Sequence, residues 1–157
     1  MEDQRKEFMG IALKLAKEAK DISFPNPMVG AVLVKNNKII GKGNTKEPGN
    51  NHAEISAIND AKRNFPSNSE EKIKGSSLYV TLEPCEMCAA AISAARISKV
   101  IFGASSTKYG GLPIERADIR VSNFHKKLEI YGGFYEKEIV SLMEKFFAEK
   151  RVIKNGD

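Results

Sequence analysis

Three observations on the 157 residues predict a three-layer α/β/α fold, with a central mixed five-stranded sheet and helices on both faces. Amphipathic segments of helical period alternate with short apolar runs of strand length. One run, Met28-Val-Gly-Ala-Val-Leu-Val34, is apolar without alternation, as a strand covered on both faces must be. An early hairpin is followed by strands separated by helices, which makes the sheet mixed.

The first helix spans Met1 to about Lys20, because Phe8, Ile11, Ala12, Leu15, Ala16 and Ala19 recur at three- and four-residue spacing. It stops at Asp21-Ile-Ser-Phe-Pro-Asn-Pro27, where two prolines and a pre-proline asparagine cannot continue a helix. The apolar run 28–34 is the first strand. Asn36-Asn37 suits a two-residue turn, and Lys38-Ile-Ile-Gly-Lys-Gly43 returns as the second strand. Residues 44–51 form a loop rich in Asn, Gly and Pro. A helix from about His52 to Arg63 puts Ile55, Ile58 and Ala61 on one face. Residues 64–74 are polar, contain Pro66, and read as a surface connection. Ser77 to Leu82 is the third strand, ended by Glu83-Pro84. The helix from about Glu86 to Ala95 carries very small side chains and can lie close against a sheet. Lys99 to Gly103 is the fourth strand, residues 104–125 are irregular or weakly helical, and Lys127 to Tyr131 is the fifth strand. Gly132-Gly133 breaks the chain before a last helix from about Tyr135 to Val152, with apolar Ile139, Leu142, Met143, Phe146 and Phe147. No repeat or boundary interrupts this order, so residues 1–157 are expected to form one domain, within the usual ~100–200 residues.

A chain 41% hydrophobic and 29% charged is neither disordered nor of low complexity. No stretch approaches the ~18 apolar residues of a membrane span, and the first ten residues lack the apolar core of a secretion signal. A soluble, cytoplasmic protein with no membrane partner is expected. The net charge of +5 favours polyanions mildly, but no segment is a basic tail, so charge alone names no partner.

Two cysteines are too few for a disulfide scaffold. Cys85 and Cys88, three apart, read as a redox pair, a structural metal pair, two core cysteines, or part of a catalytic metal site. His52-Ala-Glu54 alone is a weaker signal still, since such a pair is most often a helix-start histidine and a solvated glutamate. Together the two segments are stronger, because each opens a helix, and such helix starts cluster at one edge of a layered sheet. His52, Cys85 and Cys88 can then converge on one zinc ion, with Zn–S near ~2.3 Å and Zn–N near ~2.0 Å. Cys85 at a helix N-terminus is favoured as thiolate. Three protein ligands leave the fourth position for water, the pattern of a catalytic zinc site. Glu54 stands close enough to that position to act as general acid and base. If His125 closed the sphere instead, the zinc would be structural, although the stretch around His125 offers no second donor.

His52-Ala-Glu54 followed by Pro84-Cys-Glu-Met-Cys88 resembles the zinc-dependent nucleobase deaminases of the cytidine-deaminase superfamily. Within it, Tyr79-Val-Thr-Leu-Glu-Pro-Cys-Glu-Met-Cys88, the helix 89–97, Val100-Ile-Phe-Gly-Ala104, Lys108-Tyr-Gly-Gly111 and the final Phe146-Phe-Ala-Glu-Lys-Arg151 resemble bacterial tRNA adenosine deaminases. Phe24-Pro-Asn-Pro-Met-Val-Gly-Ala-Val32 and the short loop 41–51 are more similar to the deaminase domain of riboflavin biosynthesis, which normally spaces its cysteines farther apart.

The resemblance implies one zinc per chain and hydrolytic replacement of a ring amine, with Glu54 carrying protons to a ring nitrogen and to the departing amine. It also implies a homodimer. It places the Ala53 amide and the carbonyls near Glu83 and Pro84 on the base edge. Asn44 matches a loop asparagine that contacts base or sugar, with a turn former as the competing reading. Asn26 reads as a pocket wall or turn. The substrate implied is adenosine in a tRNA anticodon, with two alternatives: a free nucleobase, nucleoside or riboflavin-pathway aminopyrimidine, or no substrate at all in a zinc-stabilised binding module. A tRNA would call on Lys108, Arg116, Arg120, Lys126, Lys127, Lys150 and Arg151 for phosphates and on Phe146 and Phe147 for apolar contact. Each of these also reads as ordinary surface or core.

Overall fold

A computed structural model describes residues 2–105 and 128–155. His125, Lys108, Arg116, Arg120, Lys126, Lys127 and the Arg151 side chain lie outside the described residues, as do residues 106–125 of the segment expected to be irregular, whose first residue, Ala104, is strand instead. The elements are α1 (Glu2–Glu18), β1 (Gly30–Lys35), β2 (Lys38–Asn44), α2 (Ala53–Asn64), α3 (Ser69–Ile73), β3 (Ser77–Leu82), α4 (Glu86–Ala94), β4 (Lys99–Ala104), β5 (Glu129–Tyr131) and α5 (Glu136–Asn155).

The five strands form one sheet in the order β2-β1-β3-β4-β5. β1 runs antiparallel to β2 and to β3, while β3, β4 and β5 are mutually parallel. Asn36 and Asn37 take φ of 52° and 62°, the left-handed turn that lets two residues close the β1–β2 hairpin. Side chains alternate across the sheet. Ala31, Leu33, Leu78, Val80, Val100 and Phe102 face the layer of α2, α3 and α4. Val32, Val34, Tyr79 and Ile101 face Phe8, Met9 and Ala12 of α1. The last helix lies on the α1 side, with Phe146 packed on Ala19 and Met28. Burying each large apolar side chain contributes about 1.5–3 kcal/mol, so β1 is held from both faces, as its uninterrupted apolar run requires.

Close approach of helix to strand positions the site. A Cβ on Gly43 would stand 2.5 Å from the Ala53 carbonyl oxygen and 2.5 Å from the Ala57 nitrogen. Only a glycine in β2 lets the start of α2 lie this close. The buried face of α2 is accordingly Ala53, Ala57 and Ala61 with Glu54 and Ile58. Ile55, expected on that face, is only half-buried, because at about 100° per residue it lies roughly 200° around the helix from Ala53 and Ala57, which sit against β2. The connection 64–74 also differs from expectation: it contains α3, whose Ile73 is buried against the α2 layer.

Candidate active site

Both signature segments sit where a loop or strand turns into a helix. His52 is the residue before α2, with extended backbone and a ring that does not cap the helix. Cys85 holds the same place before α4, after β3 ends at Leu82, and Cys88 lies in the first turn of α4. Each helix therefore spends its first turn presenting donors rather than satisfying its own amides.

The His52 Nδ1 atom lies 3.6 Å from Cys85 Sγ and 3.4 Å from Cys88 Sγ. A tetrahedral zinc with ordinary Zn–S and Zn–N bonds separates such ligand atoms by about 3.6 Å. The donor set thus fits the ion in both type and spacing, and all three atoms lie within 4.8 Å of one another. Cys85 is partly exposed and Cys88 buried. Hydrogen bonding to Cys88 and the nearby His52 draw the Cys85 thiol down to about 5. That same bond, with burial and the Glu54 charge, pushes Cys88 up, so without metal one sulfur keeps its proton.

Glu54, one residue into α2, is 4% exposed. Burial raises its carboxyl from 4.5 to about 7, helped by the Cys85 charge. It shares a side-chain hydrogen bond with Cys88. A carboxyl that gains and loses its proton near neutrality, beside a metal-fit cluster, has the properties of a proton carrier.

These groups open on a cavity of about 670 Å³. His52, Ala53, Glu54, Leu82, Glu83 and Cys85 line its inner side. Pro25, Asn26, Pro27, Met143 and Phe147 line the opposite side. Ala53 is the first residue of α2, so its amide has no helical partner. The Glu83 amide donates to the Ala104 carbonyl, and its side-chain Oε1 accepts from the Ser105 hydroxyl at 3.3 Å. Pro84 is buried and is not among the lining residues.

Asn44 is not on the cavity wall. Its Nδ2 donates to the Leu15 carbonyl at 3.0 Å and its Oδ1 accepts from Lys46 Nζ at 2.6 Å, which ties the loop to α1. Thr45, the next residue, lines the cavity in its place, with its hydroxyl donating to the Pro27 carbonyl and accepting from the Val29 amide. Strand alternation could have found it, since Asn44 and Thr45 must point to opposite sides. Asn26, read only as a wall or turn, does line the cavity. Phe146 is core at 2% exposure, whereas Phe147 reaches the cavity. Lys150, a phosphate candidate, is turned inward toward Asp21 at 3.8 Å and over the Phe146 ring. Among the described residues no helix is long and apolar enough to cross a membrane.

The family described as the cytidine and deoxycytidylate deaminase zinc-binding region matches residues 2–104. A tRNA-specific adenosine deaminase of Agrobacterium fabrum (strain C58 / ATCC 33970) is 37% identical over 95% of this chain and 97% of its own length. The tRNA-specific adenosine deaminase of Bacillus subtilis (strain 168) is 34% identical, over 95% and 92%. Among solved structures, Acinetobacter baumannii RibD superposes with a TM-score of 0.74 at 30% identity, covering 92% of this chain. The chain spans only 39% of that RibD protein. A structure from a study of A-to-I editing by tRNA:A34 deaminases at the wobble position superposes at 0.67 with 34% identity, covering 86% of this chain and 97% of that one. The fold, the donor cluster and these likenesses coincide: the chain belongs to the zinc-binding cytidine and deoxycytidylate deaminase family, and it is a hydrolytic C–N deaminase.

Proposed function

We propose that this deaminase converts adenosine to inosine in a tRNA anticodon. The observation that carries the reading is near end-to-end likeness to tRNA-specific adenosine deaminases, at 37% identity over 95% of this chain and 97% of the relative. The site supports it. His52, Cys85 and Cys88 would hold one zinc per chain. Bound there, zinc would supply the Lewis acidity that brings water ionisation toward neutral pH.

Glu54 does the proton work. Its carboxylate accepts a proton from the attacking water and passes it to a ring nitrogen. It then returns the second water proton to the departing amine. A C–O bond forms as the C–N bond breaks, and adenine plus water becomes hypoxanthine plus ammonia with no redox partner. The free amide of Ala53 and the backbone around Glu83 and Pro84 hold the base edge. Asn44 acts from behind the wall, fixing the loop that carries Thr45. The target base leaves its stack to enter the cavity, where Phe147 offers an apolar face.

Residues 1–157 act as one deaminase domain, since every described strand joins one sheet. A homodimer is supported by α4, whose Met87 is 58% exposed beside exposed alanines at 90 and 94. The place of action is the cytoplasm, where the proposed substrate is found.

A second reading has its own support. The TM-score of 0.74 to RibD, and Asn26 held between two prolines on the cavity wall, favour a free aminopyrimidine. One experiment separates the two. Ammonia release is followed with an anticodon stem-loop and, separately, with cytosine, guanine, cytidine and the riboflavin-pathway aminopyrimidine. Turnover of the stem-loop is expected, and turnover confined to the small molecules would end the tRNA reading.

A further inference from the structure

A second cavity, of about 500 Å³, lies behind the loop that walls the active site. Three cationic side chains line it: Lys42 from β2, Lys46 from the loop and Arg63 from the last turn of α2. The amides of Asn50, Asn51 and Asn59 add neutral donors. Two carboxylates oppose them. Glu47 is part of the lining. Asp60 accepts from the Lys42 amide at 2.8 Å and meets Arg63 at 3.5 Å. Counting both acids, the pocket keeps one net positive charge and many more donors than acceptors. That chemistry suits a group with several anionic acceptor oxygens, which is a phosphate.

Its position says which phosphate. The loop threads between the two cavities. Thr45 and His52 line the active site, while their chain neighbours Lys46 and Asn51 line the second cavity. The two spaces therefore lie on either side of the same loop, next to one another at both of its ends.

We propose that the cavity of Lys42, Lys46 and Arg63 binds a backbone phosphate of the polynucleotide whose target base occupies the active site. The inference rests on the tRNA reading above and adds to it the subsite that grips the flanking strand. The loop then couples the two events, because Lys46 bonds the Asn44 side chain that anchors the Thr45 wall.

The test measures binding of an anticodon stem-loop to protein carrying Glu54→Gln, which slows turnover enough for binding to be read. Lys42→Ser, Lys46→Ser and Arg63→Ser are added together. Stem-loop affinity at 0.1 M salt is expected to fall about tenfold, and the slope of log affinity against log salt to become shallower by about 0.7 for each phosphate released. The charge-preserving set Lys42→Arg, Lys46→Arg and Arg63→Lys should restore both. The exposed α1 lysines serve as the charge control, and Lys14→Ser with Lys17→Ser should change affinity less than twofold. Zinc content and melting temperature check that each variant is folded. Equal affinity in the triple variant and its parent, or an equal loss in the α1 control, would overturn the phosphate site while leaving the tRNA reading intact. Competition by adenosine 5′-monophosphate or inorganic phosphate as strong as by the stem-loop would give the cavity to free phosphates and overturn it too. If the parent binds no stem-loop, both readings fall together.

Discussion

The two sides of the active cavity are built by different means. On the inner side, His52, Glu54, Cys85 and Cys88 stand at the starts of two helices pinned to the sheet, within five residues of one another in each segment. On the outer side, Pro25, Asn26, Pro27, Met143 and Phe147 come from segments more than a hundred residues apart, joined through the ring contacts of Phe24 with Phe146 and Phe147. The reactive groups thus follow from local spacing on rigid elements. The shape of the space in front of them follows from how the chain ends pack. A deaminase can keep the first and vary the second, which is how one chemistry serves many bases.

The largest effect should come from the inner side. Cys88→Ala removes a buried ligand, and zinc content measured by atomic absorption should fall from one per chain to near zero, with activity at background. Glu54→Gln should cost about 10³-fold in turnover while zinc stays bound, which separates proton transfer from metal holding. Loss of zinc in this variant would show instead that Glu54 shapes the donor cluster.

Packing beneath the site comes next. Gly43→Ala forces a methyl group against the α2 backbone, so α2 must shift and carry His52 and Glu54 with it. A loss of about 1–3 kcal/mol in stability by denaturant unfolding is expected, with turnover reduced in parallel. On the outer side, Phe147→Ala should leave zinc content unchanged and lower kcat/KM by about tenfold, the cost of roughly one lost apolar contact with substrate. A zinc loss in Phe147→Ala would erase the distinction between the two sides.

The last effect concerns pH and is confined to protein without zinc. In chelated protein Glu54 is raised from 4.5 to about 7 by burial, so the folded state holds its proton more tightly than the unfolded chain. The stability this contributes is complete below pH 4.5 and is lost as pH rises through 7. Glu54→Gln abolishes that loss. The chelated variant should therefore match its parent at pH 4.5 and exceed it by roughly 3 kcal/mol at pH 8. Equal stability at both values would mean that Glu54 is not buried as a carboxyl.

The same contrast explains what could be read from the chain. The convergence of His52, Cys85 and Cys88 was legible because each donor segment opens a helix and the donors are few: two cysteines and two histidines in 157 residues. The β1 core strand and the Asn36-Asn37 turn were legible for similarly local reasons. Asn44 and Thr45 differ only in which side of the loop they face, and the tie to Leu15 that decides it spans 29 residues. The choice of Ala57 over Ile55 as the buried residue of α2 depends on Gly41 and Gly43 beneath it, since the close approach appears only once strand and helix meet. The five residues of α3 complete little more than one turn, too short to show a period. Phe146 and Phe147 are adjacent and equally apolar, and only the packing of α5 against Ala19 and Met28 sends one into the core and the other to the cavity.

The central claim concerns three protein donors and one position left for water. X-ray absorption on the zinc-loaded protein measures it directly. Two sulfur atoms near ~2.3 Å, one imidazole nitrogen near ~2.0 Å and one oxygen are expected. A second imidazole in place of the oxygen, or fewer than two sulfurs, would contradict it.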